Sequence, residues 1–188
     1  MSMLKDIEKV LFSEEEIQKK VEDLGRHITR DYERKNLFIV NVLKGSVVFL
    51  SDLIRSITLP LSIDFMAISS YGPSTQSSGV VRLVKDLEEN INDKNVLVVE
   101  DIIDTGLTLN YLLKNLKARG PRSIEVCTLL DKSVRRIVDI PLAYKGFDVP
   151  DVFVVGYGLD YNQKYRNLPF VGILRPEIFT HPQTFVNP

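Results

Sequence analysis

The stretch VLVVEDIIDTGLTL, residues 96–109, ends an apolar run in three carboxylates and a turn. Val96 to Val99 carry no polar side chain, as in a strand covered on both faces. Glu100 and Asp101 are neighbours, so in an extended chain they point to opposite faces. Two carboxylates ~7 Å apart at an effective dielectric near 20 repel by roughly 2–3 kcal/mol, a cost that hydroxyls or a cation between them would relieve. Asp104 follows, and then Thr105-Gly106-Leu107-Thr108 turns into a helix. Gly106 allows a tight turn, the first helix amides are unpaired donors, and Thr105 and Thr108 add hydroxyls, which together suit a phosphate monoester. The spacing matches neither Gly-x4-Gly-Lys nor Gly-x-Gly-x-x-Gly. The chemistry read from the stretch is therefore carboxylates for the hydroxyls of a sugar, then a cradle for a phosphate on that sugar. Residue by residue, a plainer account is that Asp101 or Asp104 caps the helix and the other acids are solvated.

These groups need a strand and a helix to hold them, and the rest of the chain supplies the pattern. Ser13 with Glu16 is a capping box that opens an amphipathic helix over about 14–32. LFIVNVL (37–43) reads as a buried strand, and SVVFLSDLIRSI (46–57) as a helix after Lys44-Gly45. LSIDFMAISS (61–70) and VVRLVKD (80–86) read as strands of a hairpin whose long tip is the Gly/Pro/Ser-rich loop 71–79. Leu109, Leu112, Leu113 and Leu116 share one helical face, and Gly120-Pro121 stops that helix. Further strands are expected at about 123–130, 151–157 and 170–174. Strand, helix, strand occurs twice, over 37–70 and 96–130, so the expected class is α/β with a central, mostly parallel twisted sheet flanked by helices.

The bulk composition limits the partners. With 188 residues and 44% hydrophobic content, one domain over 1–188 with a real core is expected. Lys plus Arg (24) nearly cancel Asp plus Glu (25), so no net field draws the chain to nucleic acid or anionic membrane. The single cysteine, Cys127, lies in an apolar run and reads as a small buried hydrophobe. No secretory signal or membrane-length apolar run is visible, and a cytoplasmic setting is expected. His27 and His181 fall in no catalytic arrangement.

With its acids and Asp-Thr-Gly turn, VLVVEDIIDTGLTL resembles the phosphoribosyl-pyrophosphate motif of the type I phosphoribosyltransferases, in the form carried by the hypoxanthine-guanine branch. The likeness runs from about residue 8 to 175. It implies a small hood formed by the terminal segments, Mg²⁺ as cofactor, and a homodimer or homotetramer. VLKGSVVF (42–49) resembles the family's pyrophosphate loop, with Lys44 and Gly45, and SSYGPSTQSSG (69–79) its mobile loop, with Ser70 and Tyr71 at the start.

LLDKSVRR (129–136) places Lys132 where the family's lysine meets the 6-oxo group of a purine; taken alone it reads as a solvated surface charge. In DVFVVGYGLDYNQKYRNLP (151–169) Phe153 matches the aromatic that stacks on the base, and the Val154 backbone the group that bonds its edge. Without the likeness, Phe153 reads equally as core. Asp160 matches a magnesium ligand, with Glu100 and Asp101 beside it, and Arg166 a pyrophosphate contact. Asp104 is the implied general acid–base at N7 of the base. Two departures stand out. Leu107 occupies a phosphate-loop position where some relatives carry lysine, so backbone amides are expected to hold the phosphate. Gly158 replaces another small residue, a change expected to matter little.

The implied reaction transfers the 5-phosphoribosyl group from phosphoribosyl pyrophosphate to a 6-oxopurine, hypoxanthine or guanine. A xanthine-preferring enzyme is the near alternative, separated by contacts around Val154 and Leu159. A non-catalytic sensor of phosphoribosyl pyrophosphate that binds nucleic acid is the distant one, and the balanced charge weighs against it.

Overall fold

The most apolar segments of the chain become its central strands. In the computed structural model, which describes residues 3–70 and 81–180, the elements run β1 (Ile7–Phe12), α1 (Glu14–Asp31), β2 (Leu37–Leu43), α2 (Val47–Ser56), β3 (Leu61–Ser70), β4 (Val81–Lys85), β5 (Asn95–Ile103), α3 (Leu107–Lys117), β6 (Ser123–Asp131), β7 (Tyr144–Asp148), β8 (Val154–Val155), β9 (Val171–Leu174) and α4 (Pro176–Thr180). Six strands form the main sheet in the order β4-β3-β2-β5-β6-β7, and three form a second sheet, β1-β9-β8. Strands β3, β2, β5, β6 and β7 pair in parallel, while β4 returns antiparallel to β3, as the hairpin reading requires. The tip, 71–79, lies outside the described residues.

Strand β5 sits at the centre because both its faces are apolar. Leu97 and Val99 join a core with α1 and α2, whose Ile17, Val21, Leu24, Phe49 and Leu53 are buried there. Val96 and Val98 join the opposite core with Leu109, Leu112, Leu113 and Leu116 of α3. The capping box is in place: the Ser13 amide donates to Glu16 Oε2 at 2.8 Å and the Glu16 amide to Ser13 Oγ at 3.2 Å. Among the described residues no helix is long and apolar enough to cross a membrane.

The second sheet is the expected hood, and it differs from the sequence pattern in detail. Strand β1 has apolar residues at 7, 10, 11 and 12, of which the first three have a spacing that looks helical, and becomes a strand by pairing antiparallel with β9. Strand β7 carries Gly146 in mid-strand and has only one clearly buried residue, Tyr144. The strand expected over 151–157 shrinks to Val154–Val155, because the chain then turns through Gly156 and Gly158 at φ +96° and +98°.

Gly158 is where the expectation of a harmless substitution fails. Its φ belongs to glycine, and a Cβ there would overlap the carbonyl oxygen of Gly45. A Cβ on Gly45 would in turn overlap Asp101 Oδ2. The Leu43-Lys44 peptide just before Gly45 is cis. Gly158→Ala is expected to destabilise the chain by roughly 2–4 kcal/mol, from backbone strain plus overlap. Urea unfolding of the two proteins side by side measures it, and an unchanged midpoint would refute the contact.

Candidate active site

The carboxyl ends of the parallel strands face the start of α3, where ligands of open α/β sheets are held. A cavity of about 160 Å³ there is lined by Glu100, Ile102, Ile103, Asp104, Thr105, Gly106, Thr108 and Leu109. It is smaller than the ~300–1,000 Å³ usual for a whole small-molecule site, so it suits one end of a ligand. Larger cavities lie between α1 and α2 and at the amino end of the sheet. Neither combines carboxylates with the amino end of a helix. Gly106 precedes α3 at φ +82°, which aims the first turn into the cavity. The Leu107 amide donates to Thr105 Oγ1 at 3.4 Å, while the Leu107 side chain points outward and is partly exposed.

The two adjacent acids do diverge. Glu100 faces the cavity, and Asp101 reaches Gly45 on the other side, its Oδ1 accepting from the Ile102 amide at 2.8 Å. Burial, then repulsion from Asp101, holds the Glu100 carboxyl well above the usual carboxylate range. Burial pushes Asp101 up to about 6, against backbone hydrogen bonds and the Arg166 charge, which pull it down. Two buried acids that resist ionising make a place for a cation or for hydroxyl donors.

Asp104 stands one residue before the Thr105–Thr108 turn. Arg135 Nε lies 3.3 Å from its Oδ1, close enough to pair charges but without hydrogen-bond geometry. That oxygen is buried and has no hydrogen-bond partner. Arg135 also lies 3.8 Å from Asp151, and Asp151 3.8 Å from Lys132 Nζ, so a ladder of charge runs from the cradle to the hood.

Lys132 is not the solvated charge that the sequence alone suggests. It is 7% exposed, and its Nζ donates to the Val152 carbonyl at 2.8 Å, which ties it to the residue before Phe153. Asp131 just before it is buried and paired with Arg136, whose side chain packs near Gly106. Phe153 is not core either: it is 39% exposed. The Leu174 amide donates to the Phe153 carbonyl at 3.0 Å, and Val154 pairs with Ile173. That register makes Val154 and Ile173 a non-hydrogen-bonded pair, so the amide and carbonyl of Val154 point away from β9.

Asp160 and Arg166 are engaged with each other at 2.7 Å, and Asp160 Oδ2 also accepts from the Gln163 amide at 2.8 Å. Arg166 donates to the Gly158 carbonyl at 2.7 Å, which brings its charge beside Asp101. Lys44 and Gly45 sit at the β2–α2 turn beside Asp101. Ser70 ends β3, and Tyr71 lies outside the described residues. Arg135 was missed by the sequence reading, although its place in the basic run after Lys132 was a usable signal.

The Phosphoribosyl transferase domain family matches residues 10–162. The hypoxanthine-guanine phosphoribosyltransferase of Bacillus subtilis (strain 168) is 51% identical over 94% of this chain and 98% of its own length. The chain belongs to the phosphoribosyltransferase family. A bifunctional protein TilS/HprT of Listeria monocytogenes is likewise 51% identical over 95% of the chain, which spans 28% of that longer protein. The crystal structure of a hypoxanthine phosphoribosyltransferase from Staphylococcus aureus superposes with a TM-score of 0.92 at 49% identity, covering 95% of this chain and 97% of that one. This phosphoribosyltransferase thus has the α/β sheet and hood of its solved relatives, and it is an enzyme.

The raised Asp101 gives the phosphoribosyltransferase a pH signature. Below its ordinary value of 3.8 the carboxyl is protonated folded and unfolded alike, and costs nothing. From there to about 6 the unfolded chain releases the proton first, so stability falls as pH rises, and the full cost persists above 6. Its ceiling is about 3 kcal/mol. Asp101→Asn is expected to stabilise the ligand-free protein at pH 8 by roughly 1–3 kcal/mol and to change little at pH 4. Thermal unfolding of both proteins across that range measures the difference, and a difference independent of pH would refute the assignment.

Proposed function

We propose that the chain joins hypoxanthine or guanine to C1 of the ribose of phosphoribosyl pyrophosphate, giving the nucleoside monophosphate and pyrophosphate. The observation that carries this reading is the buried Asp104 oxygen without a hydrogen-bond partner, placed between a phosphate cradle and the Lys132–Phe153 corner. An unmade hydrogen bond there costs about 1–3 kcal/mol, which an N–H of the base relieves.

Thr105, Gly106 and Thr108, with the amides around Leu107, hold the 5′-phosphate. Glu100 and Asp101 orient the ribose hydroxyls. Lys44, Gly45 and Arg166 receive the pyrophosphate, and Ser70 and Tyr71 begin the loop that covers the reacting centre. Phe153 stacks on the base, the outward backbone of Val154 bonds its edge, and Lys132 donates to the 6-oxo group. As N9 bonds to C1 and the C1–oxygen bond to pyrophosphate breaks, Asp104 takes the proton from N7. Positioning and electrostatics lower most of the barrier.

Among the described residues no three His, Cys, Asp or Glu side chains form a metal cage. Mg²⁺ needs few protein ligands when a substrate diphosphate supplies the rest, and the acids here fit that pattern. Glu100 and Asp101 would hold it, with Asp160 once Arg166 turns to the pyrophosphate. When bound, the ion neutralises charge on the leaving group. The whole chain acts as one unit in this reading, in a cytoplasmic setting and as a homodimer or homotetramer.

Turnover of each purine with Mg²⁺ and phosphoribosyl pyrophosphate, followed by absorbance, tests the proposal. Hypoxanthine and guanine are expected to react, and adenine, whose 6-amino group meets the Lys132 donors, to show kcat/KM at least ~100-fold lower. With both substrates saturating, Asp104→Asn is expected to lose at least ~10-fold in kcat. Unchanged turnover in that variant would reject the role of Asp104, and no turnover of any 6-oxopurine would reject the reaction.

A further inference from the structure

Phe153 is held by partners that the phosphoribosyl-transfer chemistry does not use. The ring of Phe179, near the end of α4, stacks on it with centroids 5.0 Å apart and planes 24° apart. Tyr161 meets it edge-on at 5.8 Å and 89°. Helix α4 is itself anchored to the amino-terminal segment. The Arg175 amide donates to the Asp6 carbonyl at 2.9 Å and Arg175 Nε to the Lys5 carbonyl at 3.0 Å. Ile178 and Phe179 then pack on the hood's own apolar cluster of Ile7, Val155, Tyr165, Leu168 and Leu174.

The direction of approach follows from strand alternation. Residues 153 and 155 leave the same side of the chain, and Val155 is buried in the hood cluster, whereas Val154 belongs to the main core. Phe179 and Tyr161 pack on that same cluster, so they reach Phe153 from the hood. Lys132, just past the end of the main sheet's β6, bonds the Val152 carbonyl next to Phe153. The part of Phe153 that these rings leave exposed is the part free to meet a base.

We propose that Phe179 is a positioning residue for the purine: it backs Phe153, with Tyr161 at the edge, so that base, Phe153 and Phe179 form a three-layer stack whose last layer belongs to the carboxyl-terminal helix. Phe153 is 39% exposed even with that backing, and without it the ring would sample other rotamers and lose them on binding. The inference rests on the reading of Phe153 as the base platform.

The test is steady-state kinetics on Phe179→Ala, Phe179→Tyr and Phe153→Ala in the full chain, varying base and phosphoribosyl pyrophosphate separately. An aromatic stack of this kind is worth about 2- to 12-fold in an equilibrium. Phe179→Ala is expected to raise KM for hypoxanthine and guanine by roughly 5- to 10-fold while kcat and KM for phosphoribosyl pyrophosphate stay within about twofold, and Phe179→Tyr to restore the parent value. Three results would overturn the proposal. The first is an unchanged base KM in Phe179→Ala while Phe153→Ala raises it, which spares the base-site reading. The second is an equal rise in both KM values, which marks a general structural role. The third is an unchanged base KM in Phe153→Ala, in which case the base-site reading fails and Phe179 falls with it.

Discussion

Three distant parts of the chain meet at Gly45, and none of them has room to spare. Asp101, at the end of β5, fills the space a Cβ would take on Gly45, and Gly158, in the hood, lies against the carbonyl of Gly45 itself. Both contacts are possible only because two residues carry no side chain. They join the main sheet, the β2–α2 turn and the hood at one point, and Arg166 reinforces the joint by bonding the Gly158 carbonyl. The rest of the site is arranged around this point.

The electrostatics follow from it. Acids packed at the end of a buried strand are desolvated, so Glu100 and Asp101 resist ionising. The acids further out are answered by cations: Asp104 by Arg135, Asp160 by Arg166, Asp131 by Arg136 and Lys145. The difference is physical rather than accidental. Asp131 and Asp160 are satisfied by their cations without a ligand, Asp104 keeps one oxygen without a hydrogen bond despite Arg135, and the inner pair gains most when hydroxyls or a cation arrive. Stability has been given up at the place where ligand binding returns it.

How much of this was legible in the sequence depends on how far each interaction reaches along the chain. Helix α3 could be read because Leu109, Leu112, Leu113 and Leu116 carry its period within one short window, and Ser13 with Glu16 marked the start of α1 in the same way. Strand β1 could not, because what makes it extended is β9, some 160 residues later, and its own spacing looks helical. The burial of Lys132 was hidden for a related reason: its partner is a backbone carbonyl twenty residues on, and carbonyls leave no mark in a sequence. The acids and threonines of 100–108 were found from their types alone, since a motif so dense in chemistry is local by nature. The need for glycine at 158 was not, since its cause is another backbone rather than a neighbour in sequence.

The division of the site between two sheets explains why that joint matters for the reaction. In the proposed reaction the cradle and the acids assigned to the ribose are held by β5 and α3, while the residues assigned to the base are split between the hood, with Phe153 and Val154, and the main sheet, with Asp104 and Lys132. Bond formation requires the reacting carbon and nitrogen to lie about 3–3.5 Å apart and aligned, and a misplacement of about 1 Å can cost 10²-fold. Neither substructure sets that distance alone in the proposed reaction, because Phe153 and Val154 come from the hood while the cradle, Asp104 and Lys132 come from the main sheet. It is set by whatever fixes the hood against the main sheet, which here is the glycine-to-glycine contact and the buried Val154, Tyr157, Leu159 and Val171 that pack into the main core. Side chains packed in a dense core can adjust by small amounts, but two backbones in contact leave almost no such freedom. A joint made of backbone on backbone is therefore the stiffest gauge the chain could place between its two substrates.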